Sequence, residues 1–184
     1  MRKIPTNFPE LVLLEPKVWR DSRGSFQEAF NQRDYAGFLG DDIIFVQDNL
    51  SHSRQGVLRG LHYQVTPFAQ GKLIYVIQGE IWDVVVDIRM NSPNFGKWAS
   101  HQLSAQNARQ LWIPPGFAHG FLVMSATADV MYKTTAYYSP QSDRGMAWND
   151  AGIGIEWPDV GVDFLLSDKD QKQPALKDAE VFAA

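Results

Sequence analysis

The chain has 184 residues, 45% of them hydrophobic and 21% charged, an ordinary globular composition that allows a sizeable core. Its formal net charge of −4 argues against bulk attraction to nucleic acid or an anionic membrane, so an anionic ligand would need a local basic cluster. Cysteine is absent, which excludes disulfides, thiolate chemistry and cysteine-held metal. A cytoplasmic location is the expectation that fits. MRKIPTNFPE at the start holds no apolar run of signal length, and no run approaches the ~18 apolar residues of a membrane helix.

Strand signals dominate. Leu11 to Leu14 and Ile43 to Val46 are short apolar runs, each expected to be a strand. Asn31 followed by Gln32 to Leu39 is the best helix candidate, about two turns long with Asn31 as its cap. VLRGLHYQ (Val57 to Gln64) reads as a strand. Lys72 to Ile77 leads to a hairpin turn expected near Gln78-Gly79, followed by IWDVVVDI, whose Asp83 and Asp87 share one face. Ser104 to Ala108 is either a short helix or a turn. Leu111 to Ile113 stops at Pro114-Pro115-Gly116. Phe121 to Met124, Val130 to Tyr138 and Ile153 to Trp157 complete the expected strands. Many short strands punctuated by Gly and Pro imply a single all-β domain, a barrel or double-sheet sandwich, with a C-terminal tail from about residue 167.

Polar residues interrupt this pattern in a few places. Four histidines exist in all, and one of them, His62, lies with Arg59 inside VLRGLHYQ. Strict alternation puts Arg59 with Leu61 and Tyr63 on one face and His62 with Leu58, Gly60 and Gln64 on the other. A bulge at Gly60 would bring Arg59 and His62 to one pocket. The alternative is a half-buried structural histidine and a surface arginine. Lys72 opens a strand ten residues after His62, and an antiparallel return would bring the two together. His119, between Ala118 and Gly120, is either a pocket wall or a loop residue. Tyr132 in VMYKTTAYY needs a partner for its hydroxyl, and beside a reacting carbon it can deliver a proton. In LLSDKDQ a carboxylate could orient the second ring nitrogen of His62. A metal site is not expected. At the spacing where small β-barrels place a second histidine ligand this chain has Gln64, which leaves His62 and His119 as two ligands where three are usual.

VLRGLHYQ, QGKL, DVVVDIR, SPNFGKW, LWIPPGFAHGF, YKTTAYYSP, WND and LSDKD occur in the order seen in one known family. From about Pro9 to about Pro174 the chain resembles the dTDP-4-dehydrorhamnose 3,5-epimerases. Pro114 to His119 also resembles the second signature of the wider cupin superfamily. The resemblance implies a cupin double-stranded β-helix, or jelly roll, with short peripheral helices. It implies a homodimer working without metal or cofactor on dTDP-4-dehydro-6-deoxy-D-glucose, inverting C3 and C5. The implied catalytic set is His62 as base, Asp170 as its partner, Tyr132 as acid and Lys72 beside the keto oxygen. The implied substrate contacts are Gln47, Asn49, Arg59 and His119, with Tyr138 and Lys169 near the nucleotide. Arg23, Phe26 and Glu28 match an N-terminal arm, about residues 1–30, that reaches the other subunit's site. Related enzymes that invert one centre or move the keto group, and a non-catalytic sugar-binding cupin, are the alternatives. Tyr75, Trp82 and Pro115 depart from the common pattern; none is a catalytic position.

Overall fold

The computed structural model describes residues 1–182. Its strands are β1 (Arg2–Ile4), β2 (Val12–Glu15), β3 (Val18–Asp21), β4 (Gly24–Gln27), β5 (Gln47–Arg54), β6 (Leu58–Gln64) and β7 (Lys72–Gln78). They continue with β8 (Glu80–Asp87), β9 (Trp98–Ser104), β10 (Gln110–Ile113), β11 (Phe117–Val123), β12 (Thr127–Thr134) and β13 (Asp143–Gly145). One helix, α1 (Gln32–Leu39), lies between β4 and β5, capped as expected by the Asn31 side chain, which accepts from the Arg33 and Asp34 amides.

Two antiparallel sheets face each other. One runs β1-β2-β10-β7-β12-β5 and the other β13-β6-β11-β8-β9; β3 and β4 form a separate hairpin. This is the expected jelly roll. Alternation supplies the core between the sheets: Leu13, Ile74, Leu111 and Val130 from the first meet Ile81, Val85, Phe121 and Leu103 from the second. The outer face of the first sheet is partly covered by α1, with Tyr35 against Leu73 and Trp112. The outer face of the second is covered by the C-terminal segment. There Trp82 packs against Trp98 and Trp157 at ring separations of 5.8 and 5.5 Å, so its departure from the common pattern is absorbed in a tryptophan cluster.

Several expected elements are different. No hairpin forms at Gln78-Gly79: β7 pairs with β10 and β12, whereas β8 pairs with β9 and β11. Gly79, at φ +81°, instead carries the chain from one sheet to the other. Ile43 to Val46 is extended but unladdered. Ile43 and Phe45 pack against the cluster beneath α1 while Ile44 and Val46 are exposed, and the ladder begins only at polar Gln47. Ile153 to Trp157 also lies outside any ladder; it packs on the back of the second sheet, with Trp157 donating to the Trp148 carbonyl. β12 begins at Thr127 and ends at Thr134, leaving Tyr137 and Tyr138 exposed. Ser104 to Ala108 is a turn.

Candidate active site

The site begins with an irregularity in β6. His119 of β11 pairs with His62, but Phe121 pairs with Arg59, so β6 carries one extra residue over that interval. Gly60 takes it up at φ +128°. A β-carbon there would lie 2.5 Å from Gly120 Cα and 2.9 Å from the His119 carbonyl, so glycine is required by contact as well as by conformation. The bulge resolves the alternation conflict. Leu61 and Tyr63 pack on the back of the sheet, while Arg59 and His62 both line the cleft.

The cleft is a cavity of about 430 Å³ between the sheets, lined by His62, Arg59, Lys72, His119, Tyr132 and Asp170 among others. Its two walls differ. His62 and His119 come from β6 and β11 of one sheet, and Lys72 and Tyr132 from β7 and β12 of the other. His62 and Lys72 therefore do not meet by strand pairing; they meet across the two sheets, with Lys72 Nζ donating to the His62 carbonyl at 3.2 Å. The Tyr132 hydroxyl has no hydrogen-bond partner among the described residues and lines the cavity.

His62 Nε2 lies 2.5 Å from Asp170 Oδ1. Asp170 is 4% exposed. Burial alone would raise its carboxyl, but hydrogen bonds from His62 and Ser167 and the surrounding charge outweigh it and hold the group below the usual carboxylate range. That bond assigns the ring proton to Nε2 and leaves Nδ1 as the basic nitrogen. Burial pushes the Lys72 ammonium down to about 8, against the opposing pull of Asp143 and Asp83. Burial also raises the Tyr132 phenol. His119 Nε2 lies 2.8 Å from Oδ2 of buried Asp83, and burial pushes its imidazole down toward the neutral form.

A second lobe of about 250 Å³ adjoins the first and shares His62, Lys72, Tyr132 and Lys169 with it. Gln47 and Asn49 line it, joined by a 2.9 Å bond from Gln47 Nε2 to Asn49 Oδ1. Tyr138 closes one side; its amide donates to Gln47 Oε1 and its hydroxyl to Asp143, which also holds Lys169 at 2.5 Å. The remaining expected contacts lie elsewhere. Arg23, Phe26 and Glu28 line neither lobe of their own chain's cleft. Arg23 and Phe26 belong to the exposed β3–β4 hairpin, where Arg23 pairs with Asp21 at 2.6 Å and Phe26 is 70% exposed.

Sequence reasoning missed Ser51, Arg54, Asp143 and Ser167, which also line the two lobes. A signal for the first existed: Gln47, Asn49, Ser51 and Ser53 alternate through β5 and form a polar row on the inward face of an otherwise apolar sandwich. Asp143 lies in a segment whose local pattern points nowhere, and Ser167 lies in LLSDKDQ, where the carboxylates carry the local signal. Among the described residues no group of three or more His, Cys, Asp or Glu side chains is placed to hold a metal ion, and no helix is long and apolar enough to cross a membrane.

The family model described as dTDP-4-dehydrorhamnose 3,5-epimerase matches residues 5–178. The chain belongs to this family. It is 52% identical to the dTDP-4-dehydrorhamnose 3,5-epimerase of Shigella flexneri over 99% of each chain. A dTDP-6-deoxy-D-glucose-3,5-epimerase from Legionella pneumophila, solved with dTDP-4-keto-L-rhamnose, superposes at TM-score 0.92 with 49% identity, covering 96% of this chain and 93% of that one. A 3'-monoepimerase from Streptomyces bikiniensis, solved with dTDP-quinovose, is more distant: TM-score 0.89 and 32% identity over 94% and 87%. Proteins similar to this chain thus differ in the number of centres they invert.

Proposed function

We propose that this chain inverts C3 and C5 of dTDP-4-dehydro-6-deoxy-D-glucose, giving dTDP-4-dehydro-L-rhamnose, by proton transfer between two walls of the cleft. One observation carries the reading: His62 and Tyr132 enter the same cavity from facing sheets. The 4-keto group acidifies the protons on its neighbouring carbons, because loss of either gives an enolate. His62 Nδ1 takes the proton while Asp170 balances the imidazolium through Nε2–H. Lys72 meets the charge forming on the keto oxygen, in a site where exclusion of water strengthens the attraction. Tyr132 then delivers a proton to the carbon from the other side. A single base returning its own proton to the same face would invert nothing.

Arg59 suits the diphosphate, since its guanidinium has no carboxylate partner among the described residues and is steadied by a 3.1 Å bond from Nε to Ser53 Oγ. His119 lines the sugar end. Gln47, Asn49, Tyr138 and Lys169 form the nucleotide end. The nucleotide handle thereby helps position the sugar. The chain acts as one domain and a homodimer in the cytoplasm, with Arg23, Phe26 and Glu28 of each exposed arm completing the partner's cleft. Leu50 and Ile77, 64% and 51% exposed on the outer face of the first sheet, supply an apolar surface for that partner. No cofactor enters the scheme. Sedimentation should give a dimer mass; a monomer would remove the arm's role.

The test is turnover of the 4-keto substrate in deuterated buffer, followed by NMR of the product. The reading requires inversion and deuterium at both C3 and C5. One inverted centre would mark a mono-epimerase, a displaced keto group a ketoisomerase, and no exchange a binding protein.

A further inference from the structure

The base sits on a rigid strand, whereas its carboxylate partner sits on an irregular C-terminal segment. Leu165 fixes that segment just upstream. Its amide donates to the Gly56 carbonyl at 2.8 Å, and its carbonyl accepts from the Leu58 amide at 3.0 Å. Pro174 fixes it downstream by accepting from the Ala147 amide at 2.7 Å. Between the two ties runs SDKD, Ser167 to Asp170. Ser167 Oγ accepts from the Asp170 amide at 3.1 Å, and the Ser167 carbonyl accepts from the Gln171 amide at 3.1 Å. This is half of a capping box. In the complete box the carboxylate three residues on turns back to the amide of the capping residue. Here the Asp170 carboxylate goes to His62 instead, and the hydroxyl alone keeps its half of the pattern by holding the Asp170 amide.

We propose that Ser167 is the positioning residue of the His62–Asp170 pair: its hydroxyl fixes the turn that presents the carboxylate to the imidazole from the cavity edge. This rests on the reading of His62 as the base. Having accepted the Asp170 amide, the hydroxyl still has its own proton to offer, which helps hold the Asp170 carboxyl ionised.

The test compares Ser167→Ala and Ser167→Gly, neither with a hydroxyl, with Ser167→Thr, which restores one, and with Asp170→Asn as reference. Two hydroxyl-free variants keep the test standing if one fails to fold. The readouts are dTDP affinity, the saturated rate of substrate C3 and C5 proton exchange, and the acid limb of its pH profile. The expected result is an exchange rate ~10-fold lower without the hydroxyl, the change that about 1.4 kcal/mol on the barrier gives, with dTDP affinity unchanged. The carboxyl then protonates at higher pH, so the acid limb moves upward, and Ser167→Thr returns both rate and limb. A rate and limb equal to wild type in a folded hydroxyl-free variant would overturn the proposal, as would a loss that Ser167→Thr fails to restore. If Asp170→Asn itself leaves exchange intact, it is the His62–Asp170 reading that falls.

Discussion

Lys72→Met should make the protein more stable and nearly inactive, and both differences from wild type should shrink as pH rises past about 8. Burial moves the Lys72 ammonium from 10.5 to about 8. At about 1.4 kcal/mol per pKa unit, keeping it charged in the folded state costs about 3 kcal/mol at pH 7. Methionine matches the stem and carries no charge, but it loses the bond to the His62 carbonyl, worth ~1 kcal/mol. A net gain of about 2 kcal/mol at pH 7 follows. The folded pKa is below the unfolded one, so the cost is full below about 8, shrinks as pH rises toward 10.5, and is absent above it. The advantage of Lys72→Met therefore vanishes by pH 10.5 and turns into the small loss of the hydrogen bond. Activity runs the other way: without the ammonium the enolate loses a stabiliser worth ~10²- to 10³-fold in rate. The wild type should itself lose activity as pH rises past about 8. Tyr132 does not cause that limb, because burial raises its phenol. Urea unfolding of both proteins at pH 7 and pH 10.5, with proton-exchange rates over the same range, checks the argument. A variant less stable than wild type at pH 7, or a stability difference that does not change with pH, would refute it.

Tyr132→Phe should reduce C5 epimerisation far more than the initial proton loss, read as product formation against deuterium wash-in; equal, small effects on both would argue against the acid role. Gly60→Ala should cost about 2–4 kcal/mol in urea unfolding, from the strained φ of +128° and the 2.5 Å approach to Gly120, and should lower exchange as Arg59 and His62 lose their common face. A loss under about 1 kcal/mol would mean the bulge is not held by that contact.

How much of this was legible beforehand depended on what each local pattern reports. Asn31 and the eight residues after it gave α1 its exact bounds, because a cap and an amphipathic turn are local facts. The conflict between Arg59 and His62 located the bulge before any coordinates, because alternation in a strand is strict enough for its violation to be informative. Sheet membership was not local. Nothing in QGE says whether the chain turns back or crosses over, so the hairpin at Gly79 was a wrong expectation and the meeting of Lys72 with His62 was right for the wrong reason. β5 was missed because its inward face is polar, which is what makes it a wall of the site. Asp170 was reached through resemblance, since 108 residues separate it from His62 and only the folded C-terminal segment joins them.

Proton exchange by His62→Asn tests the central claim most directly. The variant should bind dTDP with nearly wild-type affinity while exchange of the substrate's C3 and C5 protons in deuterated buffer is nearly abolished. Wild-type deuterium incorporation at either carbon would show that another group removes the proton, and the account of facing base and acid would be contradicted.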